Sequence, residues 1–291
     1  MAVDYLQERG ISLRQACILM RLSSSVYYYK AKVDPQDELV EDVLTDLVEN
    51  HRRWGFWKLY HHIRGQGVHN WNNKRVYRIY TQLGLNLRRK CKKRLPPRDR
   101  VPLVLPDAAN TTWSMDFMYD RMINGRAFRC LNIIDDYNRE SLTIAIDTSL
   151  SSRRVARELT QLFEWRGKPK TIRVDNGPEF LALQEWCQSQ GVELRFIQPA
   201  KPNQNAFIER FNRTFREDVL SQYLFEDLDQ VRQLTYRFIW EYNNIRPHDS
   251  LERLTPRAFL LKYGKLSQAQ ADREFPTFQQ EVYNNNYYIE T

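Results

Sequence analysis

The chain has 291 residues, 42% of them hydrophobic, which suffices for one large domain or two smaller ones and excludes an intrinsically disordered protein. No apolar run reaches the about 20 residues that span a bilayer, and neither a signal-peptide pattern nor a Cys-x-x-Cys pair is present, so we expect a cytoplasmic protein without disulfides. Residues 1–100 carry 20 basic and 10 acidic side chains and the rest carry 24 and 26, which places the net charge of +8 in the first third and predicts a nucleic-acid-binding module there.

A helix, a tight turn and a second helix are the first predicted elements. Apolar residues recur at helical spacing between Ser12 and Met20, with Ser12 as the N-cap, and the second helix can begin at Ser23 or Ser24. These dimensions are typical of a DNA-binding helix-turn-helix. A small helical packing unit would give the same pattern, so both interpretations stay open at this point.

Three further helices are predicted over residues 37–50, 57–64 and 73–83, and Asn72 is the expected cap of the last one. Together with the first two helices they make residues 1–87 a predicted helical DNA-binding region. The helix over 73–83 displays basic side chains as candidate DNA contacts, namely Lys74, Arg75 and Arg78.

A basic stretch separates this region from the rest of the chain. Residues 88–100 contain eight basic side chains, one acid and two prolines, which disfavours a packed helix and favours a segment lying on the phosphate backbone. A solvated hinge is the alternative. We take residues 88–105 as a linker. Its candidate DNA contacts are Arg88, Arg89, Lys90, Lys92, Lys93 and Arg94.

Beyond the linker the pattern changes to strands, over residues 113–119, 127–134 and 142–146, which indicates an antiparallel meander. Helices and strands then alternate, an order that predicts an α/β fold with a mixed sheet. We expect this core to occupy residues 106–225 and a helical extension with a tail to occupy 226–291. The alternating elements are predicted at residues 152–165 (helix), 171–174 (strand), 181–190 (helix), 192–197 (strand), 205–220 (helix) and 228–243 (helix).

Three acids are candidate metal ligands. Asp116 interrupts an otherwise apolar strand, where an unpaired charge is seldom tolerated. Asp175 directly follows a short strand and opens Asp-Asn-Gly-Pro-Glu, although ordinary turn chemistry also explains an Asp there. Glu209 shares a helical face with Arg213 and Arg216, which would meet the DNA backbone, and a solvated face with ion pairs is the alternative.

The three carboxylates together suit phosphodiester chemistry. Cleavage and strand transfer use two divalent cations roughly 4 Å apart, one activating the attacking oxygen and one stabilising the leaving oxygen. Oxygen ligands favour Mg²⁺, for which Mn²⁺ is expected to substitute. The sequence therefore predicts a site for two magnesium ions.

The acids belong to a longer set of ordered motifs. These are Trp113-x-x-Asp116, Ile133-Ile-Asp135, Val174-Asp-Asn-Gly-Pro-Glu-Phe180, Pro199-x-Lys-Pro202, Asn205-Ala-x-Ile-Glu209, Phe211-Asn212, Tyr242-Asn-Asn-Ile-Arg-Pro-His248 and Leu254-Thr-Pro256. With them the chain resembles the DDE transposases that have a retroviral-integrase-type catalytic core, in particular the second-reading-frame (OrfB) products of a large bacterial insertion-sequence family.

The resemblance implies a ribonuclease-H-like fold and catalysis by Asp116, Asp175 and Glu209 on double-stranded DNA, both the terminal inverted repeats of an element and its target. It also implies a circular intermediate and an upstream-frame protein as fusion or partner. Because two ends must be brought together, we expect at least two copies of the chain in the working complex. The candidate contacts to the scissile strand, on the loop entering the Glu209 helix, are Lys201, Asn203 and Asn205.

Two features depart from the simplest interpretation. The interval between Asp175 and Glu209 is two residues shorter than is usual in the family, so we expect a shortened helix or loop there. Rival acids are present at Asp120, Asp135 and Asp136, but each lies near a turn and matches a non-catalytic position of the family motif.

Three histidines invite other interpretations. His61 and His62 are not expected to form a zinc site of the retroviral-integrase kind, because no cysteine pair follows at ligand spacing. His248 is expected either to contact DNA or to pack.

Two rival functions stay open: a metal-dependent nuclease without strand transfer, and a catalytically inactive DNA-binding protein, against which the intact acids argue.

Overall fold

The computed structural model describes residues 2–29, 34–88, 105–198 and 205–264. Contacts divide the chain into two compact units, Met1–Asp46 and Leu47–Thr291, with the boundary inside a helix, α4 (Pro35–Asn50). The predicted linker lies mostly outside the described residues, so a domain division at residues 88–105 stays a prediction. None of the helices in the described ranges is long and apolar enough to cross a membrane.

The first unit contains three short helices, α1 (Ala2–Glu8), α2 (Leu13–Leu19) and α3 (Ser24–Tyr28). The predicted N-cap of α2 is confirmed, because the side chain of Ser12 accepts a hydrogen bond from the Gln15 amide. Helix α1 was not predicted from the sequence. It packs on α2 around a small buried cluster of Val3, Ala16 and Cys17.

The second unit begins with the end of α4, followed by α5 (Phe56–Gly65) and α6 (Asn73–Gln82). Both helices lie within a residue or two of the predicted ranges. Asn72 caps α6 as predicted, since its Oδ1 accepts a hydrogen bond from the Lys74 amide at 2.9 Å. Their apolar faces are buried at Leu59, Ile63, Val76 and Ile79.

A five-stranded sheet forms the centre of this unit. Its strands are β1 (Thr112–Arg121), β2 (Ala127–Asp135), β3 (Ser141–Asp147), β4 (Thr171–Val174) and β5 (Glu193–Phe196). The order is β3-β2-β1-β4-β5, with β1 to β3 antiparallel and β4 and β5 parallel to β1. The predicted meander and mixed sheet of a ribonuclease-H-like core are therefore confirmed.

Helices cover both faces of the sheet. Alternate residues of β1 point to opposite faces, and apolar side chains on each face pack against helices. Trp113 and Met115 pack in one buried cluster with α7 (Ser152–Arg166) and with two short helices, α8 (Pro178–Leu181) and α9 (Gln184–Ser189). Met118 packs in a second cluster with α10 (Ala206–Phe215) and α11 (Leu228–Asn244).

Two helical predictions needed correction in detail, and one further helix was missed. The helix expected over residues 181–190 begins only at Gln184, as α9, and is preceded by the separate short helix α8. The helix expected over 205–220 leaves α geometry at Phe215 and continues as a π-helical turn, Arg216–Leu220. A last helix, α12 (Pro256–Tyr263), was not predicted.

Candidate active site

Two of the predicted catalytic acids belong to neighbouring parallel strands. Strands β1 and β4 pair with Ser114 opposite Arg173. Continuing that register by two residues sets Asp116 beside Asp175, where adjacent strands lie about 4.8 Å apart. Asp175 directly follows β4, and its Oδ1 accepts a hydrogen bond from the Gly177 amide at 3.0 Å. The strand pairing thus brings both carboxylates to the same edge of the site.

The turn after Asp175 is fixed to the sheet by two contacts. Arg129 Nη2 on β2 donates to Glu179 Oε1 at 2.7 Å, at the start of α8. The ring of Phe180 stacks on Phe117 of β1 with centroids 4.9 Å apart. Charge pairing and ring stacking therefore hold the loop that carries Asp175.

Helix α10, which carries Glu209, is tied to β1 by a chain of side-chain amides. Asn212, one helical turn after Glu209, donates from Nδ2 to Asp116 Oδ2 at 2.7 Å. Asn132 lies opposite Asp116 on β2 and donates from Nδ2 to Asn212 Oδ1 at 2.6 Å. Since residues three apart share a helical face, Glu209 lies on the side of α10 that Asn212 directs at β1.

The three acids influence one another electrostatically. Burial, together with the negative charges of Asp175 and Glu209, raises the pKa of Asp116 to about 6, against the opposing hydrogen bonds from the Phe117 amide and Asn212. In the parts of the chain that the structure describes, no three Asp, Glu, His or Cys side chains are placed closely enough to hold a metal ion as they stand. Chelation by all three acids would therefore require their side chains to move together.

The rival acids already have structural partners. Asp135 is fully buried and accepts two backbone amide hydrogen bonds, at 2.7 and 2.9 Å. Asp136 is also buried and pairs with Arg173 at 2.8 Å. Asp120 pairs with Arg216 at 3.3 Å. These contacts account for the three carboxylates as parts of the fold.

The predicted DNA contacts differ in how exposed their side chains are, and several lie outside the described residues. Arg216 pairs with Asp120 and also donates to the Tyr119 carbonyl at 2.9 Å, and Asn205 is only 4% exposed. Arg75 is partly exposed. Exposed side chains are Lys74, Arg78, Arg88 and Arg213. The candidates that lie outside the described residues are Arg89, Lys90, Lys92, Lys93, Arg94, Lys201 and Asn203.

His248 packs within the fold. Its ring meets the edge of Tyr242 with centroids 4.6 Å apart, and its Nε2 lies 3.4 Å from the Tyr242 carbonyl oxygen. Burial beside the positive charge of Arg246 lowers the pKa of His248 to about 3, so the ring is neutral at physiological pH. Of the two roles considered for His248, the structure favours packing.

The comparison with known proteins identifies the family. Two family models described as integrase core domain match residues 106–202 and 190–256, and one described as HTH-like domain matches residues 35–94. The chain is 40% identical over 264 residues to a 31.7 kDa protein of insertion element IS407 from Burkholderia multivorans, covering 90% of this chain and 95% of that protein. It belongs to the integrase-core transposases of insertion elements. The transposase is accordingly a polynucleotidyl transferase that acts on DNA.

Other relatives and solved structures are similar to this transposase at lower levels. A protein of insertion element IS476 from Xanthomonas euvesicatoria is 37% identical and covers 89% of this chain and 75% of its own length. A chain of the simian T-cell lymphotropic virus intasome in complex with PP2A regulatory subunit B56 gamma has a TM-score of 0.48 at 16% identity, covering 76% of this chain and 74% of that one. The HTLV-2 integrase catalytic core domain in complex with magnesium has a TM-score of 0.40 at 18% identity, covering 54% and 99%.

Two features of the transposase were not anticipated from its sequence. The HTH-like match includes α5 and α6 and excludes α2 and α3, where a helix-turn-helix was predicted first. The role of Asn132 and Asn212 in joining Asp116 to α10 was also missed. A signal existed for Asn132, which is a polar residue within the apolar run of β2 and is fully buried.

Proposed function

We propose that this transposase cleaves the ends of its insertion element and joins each freed 3′-hydroxyl to a target phosphodiester, with Asp116, Asp175 and Glu209 holding divalent cations. The observation that carries the proposal is the hydrogen bond from Asn212 to Asp116, because it links the helix of the third acid to the strand of the first. The integrase core match covers the segments that contain all three acids.

The donor set fits a hard divalent cation. All three side chains offer carboxylate oxygens, and the raised pKa of Asp116 reflects burial first and then the negative charges of Asp175 and Glu209, which a cation would neutralise. Two magnesium ions, or manganese ions in their place, would activate the attacking oxygen and stabilise the leaving oxygen when bound. Asp116 and Asp175 would be shared between the two ions and Glu209 would bind one of them.

The residues of the chain supply orientation around these acids. Asn212 holds one carboxylate oxygen of Asp116, and the Gly177 amide does the same for Asp175. Arg213 is exposed on α10 one turn after Glu209, which supports assigning it to a phosphate of the scissile strand. Arg216 would do so only after leaving Asp120.

A separate set of basic side chains would bind the element ends at a distance from the chemistry. Lys74 and Arg78 are exposed on α6, inside the HTH-like match, and Arg75 is partly exposed beside them. We assign these residues to the double-stranded terminal repeats, with the basic residues of 88–94 as phosphate contacts. Lys201, Asn203 and Asn205 would act nearer the scissile strand, although the burial of Asn205 favours a supporting role.

The resemblance to the family adds assembly to the proposal. Pairing two element ends calls for at least two copies of the chain, and the upstream-frame protein would act as a fusion or a partner. The joined ends would give a circular intermediate before integration. Because the proposed substrate is double-stranded DNA, we expect the complex to work on the nucleoid.

A joining assay tests the proposed reaction. Labelled element ends, both uncut and pre-cut, are incubated with the purified chain and Mg²⁺, with and without the upstream-frame protein, and cleaved and joined products are measured. Asp116→Asn should abolish joining and cleavage while end binding stays within about twofold, because the charge change leaves the basic surfaces intact. The matched control is Asp120→Asn, which removes a carboxylate outside the proposed site and should keep joining.

The same assay separates the rival functions. Cleavage without joined product from the wild type would support a nuclease, and a wild type inert with both Mg²⁺ and Mn²⁺ in the presence of the partner would support a DNA-binding protein. Full joining by Asp116→Asn would contradict the proposed ligand set.

A further inference from the structure

We propose that Arg139 is a positioning residue for Glu209, which it serves by holding Phe207 at the start of α10. The inference rests on the proposed role of Glu209 in catalysis. Arg139 belongs to the turn between β2 and β3, and because it is only 8% exposed it does not offer a surface for DNA.

The contact itself is short and specific. The guanidinium carbon of Arg139 lies 3.5 Å from the centroid of the Phe207 ring, which is the second residue of α10. A guanidinium over an aromatic ring at this distance, and largely shielded from water, forms a strong cation–π contact. Phe207 precedes Glu209 by two residues, so a displacement of its ring displaces the helical turn that carries the acid.

Arg139 is itself held in place by the core. Its backbone has a φ of 61°, a left-handed conformation that a tightly packed turn must impose on a residue other than glycine. Its Nη1 is buried and has no hydrogen-bond acceptor among the described residues. The negative charges of Asp136 and Asp135 act on the guanidinium, and Asp136 is fixed in turn by Arg173. The Arg139 guanidinium that contacts Phe207 is thus held by a fixed part of the fold.

Two anchors on α10 explain why this contact would matter for Glu209. Asn212 fixes the helix to Asp116 on the C-terminal side of the acid, and Phe207 fixes it to Arg139 on the N-terminal side. Ile208, between these two residues, is fully buried, but apolar burial is non-directional and does not by itself set the orientation of the helix. Phe211 and Phe215, farther along α10, are also buried, so loss of the Phe207 contact would shift only the first helical turn, and a small misplacement of a catalytic group costs up to about a hundredfold in rate.

Two single variants and their combination test the inference in the full-length chain. Arg139→Met keeps the length of the side chain without charge, and Phe207→Leu keeps apolar volume without the ring. Each should lower the turnover rate for joining pre-cut ends by about tenfold to a hundredfold, with the KM for end DNA changed less than about twofold. The double variant should be no slower than the slower single variant, because both remove one contact.

Further measurements distinguish positioning from general damage. Phe207→Tyr keeps the ring face of a half-buried residue and should retain joining close to wild type, which keeps the inference testable if Arg139→Met fails to fold. Calorimetric titration of the DNA-free protein with Mg²⁺, where no turnover can occur, should show weaker binding in Arg139→Met and Phe207→Leu than in wild type and Phe207→Tyr.

Each outcome points to one conclusion. Loss of joining in Glu209→Gln with normal joining in Arg139→Met and Phe207→Leu overturns this inference and leaves the proposed function standing. Normal joining in Glu209→Gln overturns both. Losses that multiply in the double variant, or a rise in KM with unchanged turnover, also overturn the inference because they indicate independent effects or a DNA contact.

Discussion

Replacing Asp116 by Asn should stabilise the metal-free transposase at neutral pH while it removes activity. Burial and the charges of Asp175 and Glu209 raise the pKa of Asp116 to about 6, so the ionised side chain is destabilising in the folded state. The folded state is favoured while Asp116 is protonated, so its contribution to the free energy of unfolding is fully present below the unfolded pKa of about 3.9. That contribution is lost as the pH rises through the folded pKa.

The magnitude follows from the two pKa values. Each pH unit between them is worth about 1.4 kcal/mol, so the ionised Asp116 costs about 3 kcal/mol by pH 8. An asparagine can still accept the hydrogen bond from Asn212, but it has one acceptor oxygen fewer and would lose the bond from the Phe117 amide, at about 1–2 kcal/mol. The net gain is about 1–2 kcal/mol, or about 2–8 °C in Tm.

Thermal unfolding of both proteins in a chelating buffer, between pH 4.5 and 8, measures this effect. The Tm advantage of Asp116→Asn should be largest at pH 8 and should shrink steadily towards pH 4.5, where Asp116 becomes protonated in the wild type. Added Mg²⁺ should raise the Tm of the wild type and leave the variant unchanged. A variant that is less stable than wild type at pH 8 without metal would refute the electrostatic reasoning.

Three further predictions concern other parts of the second unit. Gly177→Ala would place a Cβ 3.0 Å from Asp175 Oδ1, so we expect the carboxylate to shift and Mg²⁺-dependent joining to fall by about tenfold with little change in Tm. Arg166→Met removes the buried cation that pairs with Glu140 at 2.6 Å, and should lower the free energy of unfolding by about 3–5 kcal/mol in urea titrations. Lys74→Ala should weaken end binding and reduce the slope of log affinity against log salt by about 1.

Each of these variants has a matched control. Gly65→Ala adds a Cβ with nothing within 4 Å and should leave joining unchanged, and equal losses in both glycine variants would contradict the close-approach argument. Glu158→Gln breaks a partly exposed pair with Arg154 and should cost less than about 1 kcal/mol. Lys168→Ala lies at the opposite end of β4 from Asp175, and an equal fall in its salt slope would argue against a DNA role for Lys74.

The sequence predicts the strands well because the local patterns and the packing agree. Strand β4 was predicted at its observed ends, and the position of Asp116 inside the apolar run of β1 was enough to single it out as a candidate ligand. Helix α12 was missed although Thr255 caps it and Pro256 opens it, a signal that was present in the sequence. The short α1 offers little periodicity, so its stability depends on packing against α2.

The long-range contacts that assemble the candidate site could not be predicted from the sequence. The bond between Asn212 and Asp116 connects residues 96 positions apart, and its existence depends on how α10 crosses β1. The register of parallel strands is set by a long crossover and by packing, so the adjacency of Asp116 and Asp175 was an expectation of the family alone. The left-handed turn at Arg139 leaves no pattern in the neighbouring residues.

The amide chain from β2 to α10 has only one orientation. Because Asn132 gives its N–H to the oxygen of Asn212, the nitrogen of Asn212 must face Asp116, and the group cannot be flipped without setting two donors against each other. The substitution Asn212→Asp exchanges that nitrogen for an oxygen. It would replace the hydrogen-bond donor to Asp116 by a fourth negative charge directed at the same carboxylate. This substitution changes neither the size nor the shape of the side chain, yet it would remove the hydrogen bond that links α10 to Asp116.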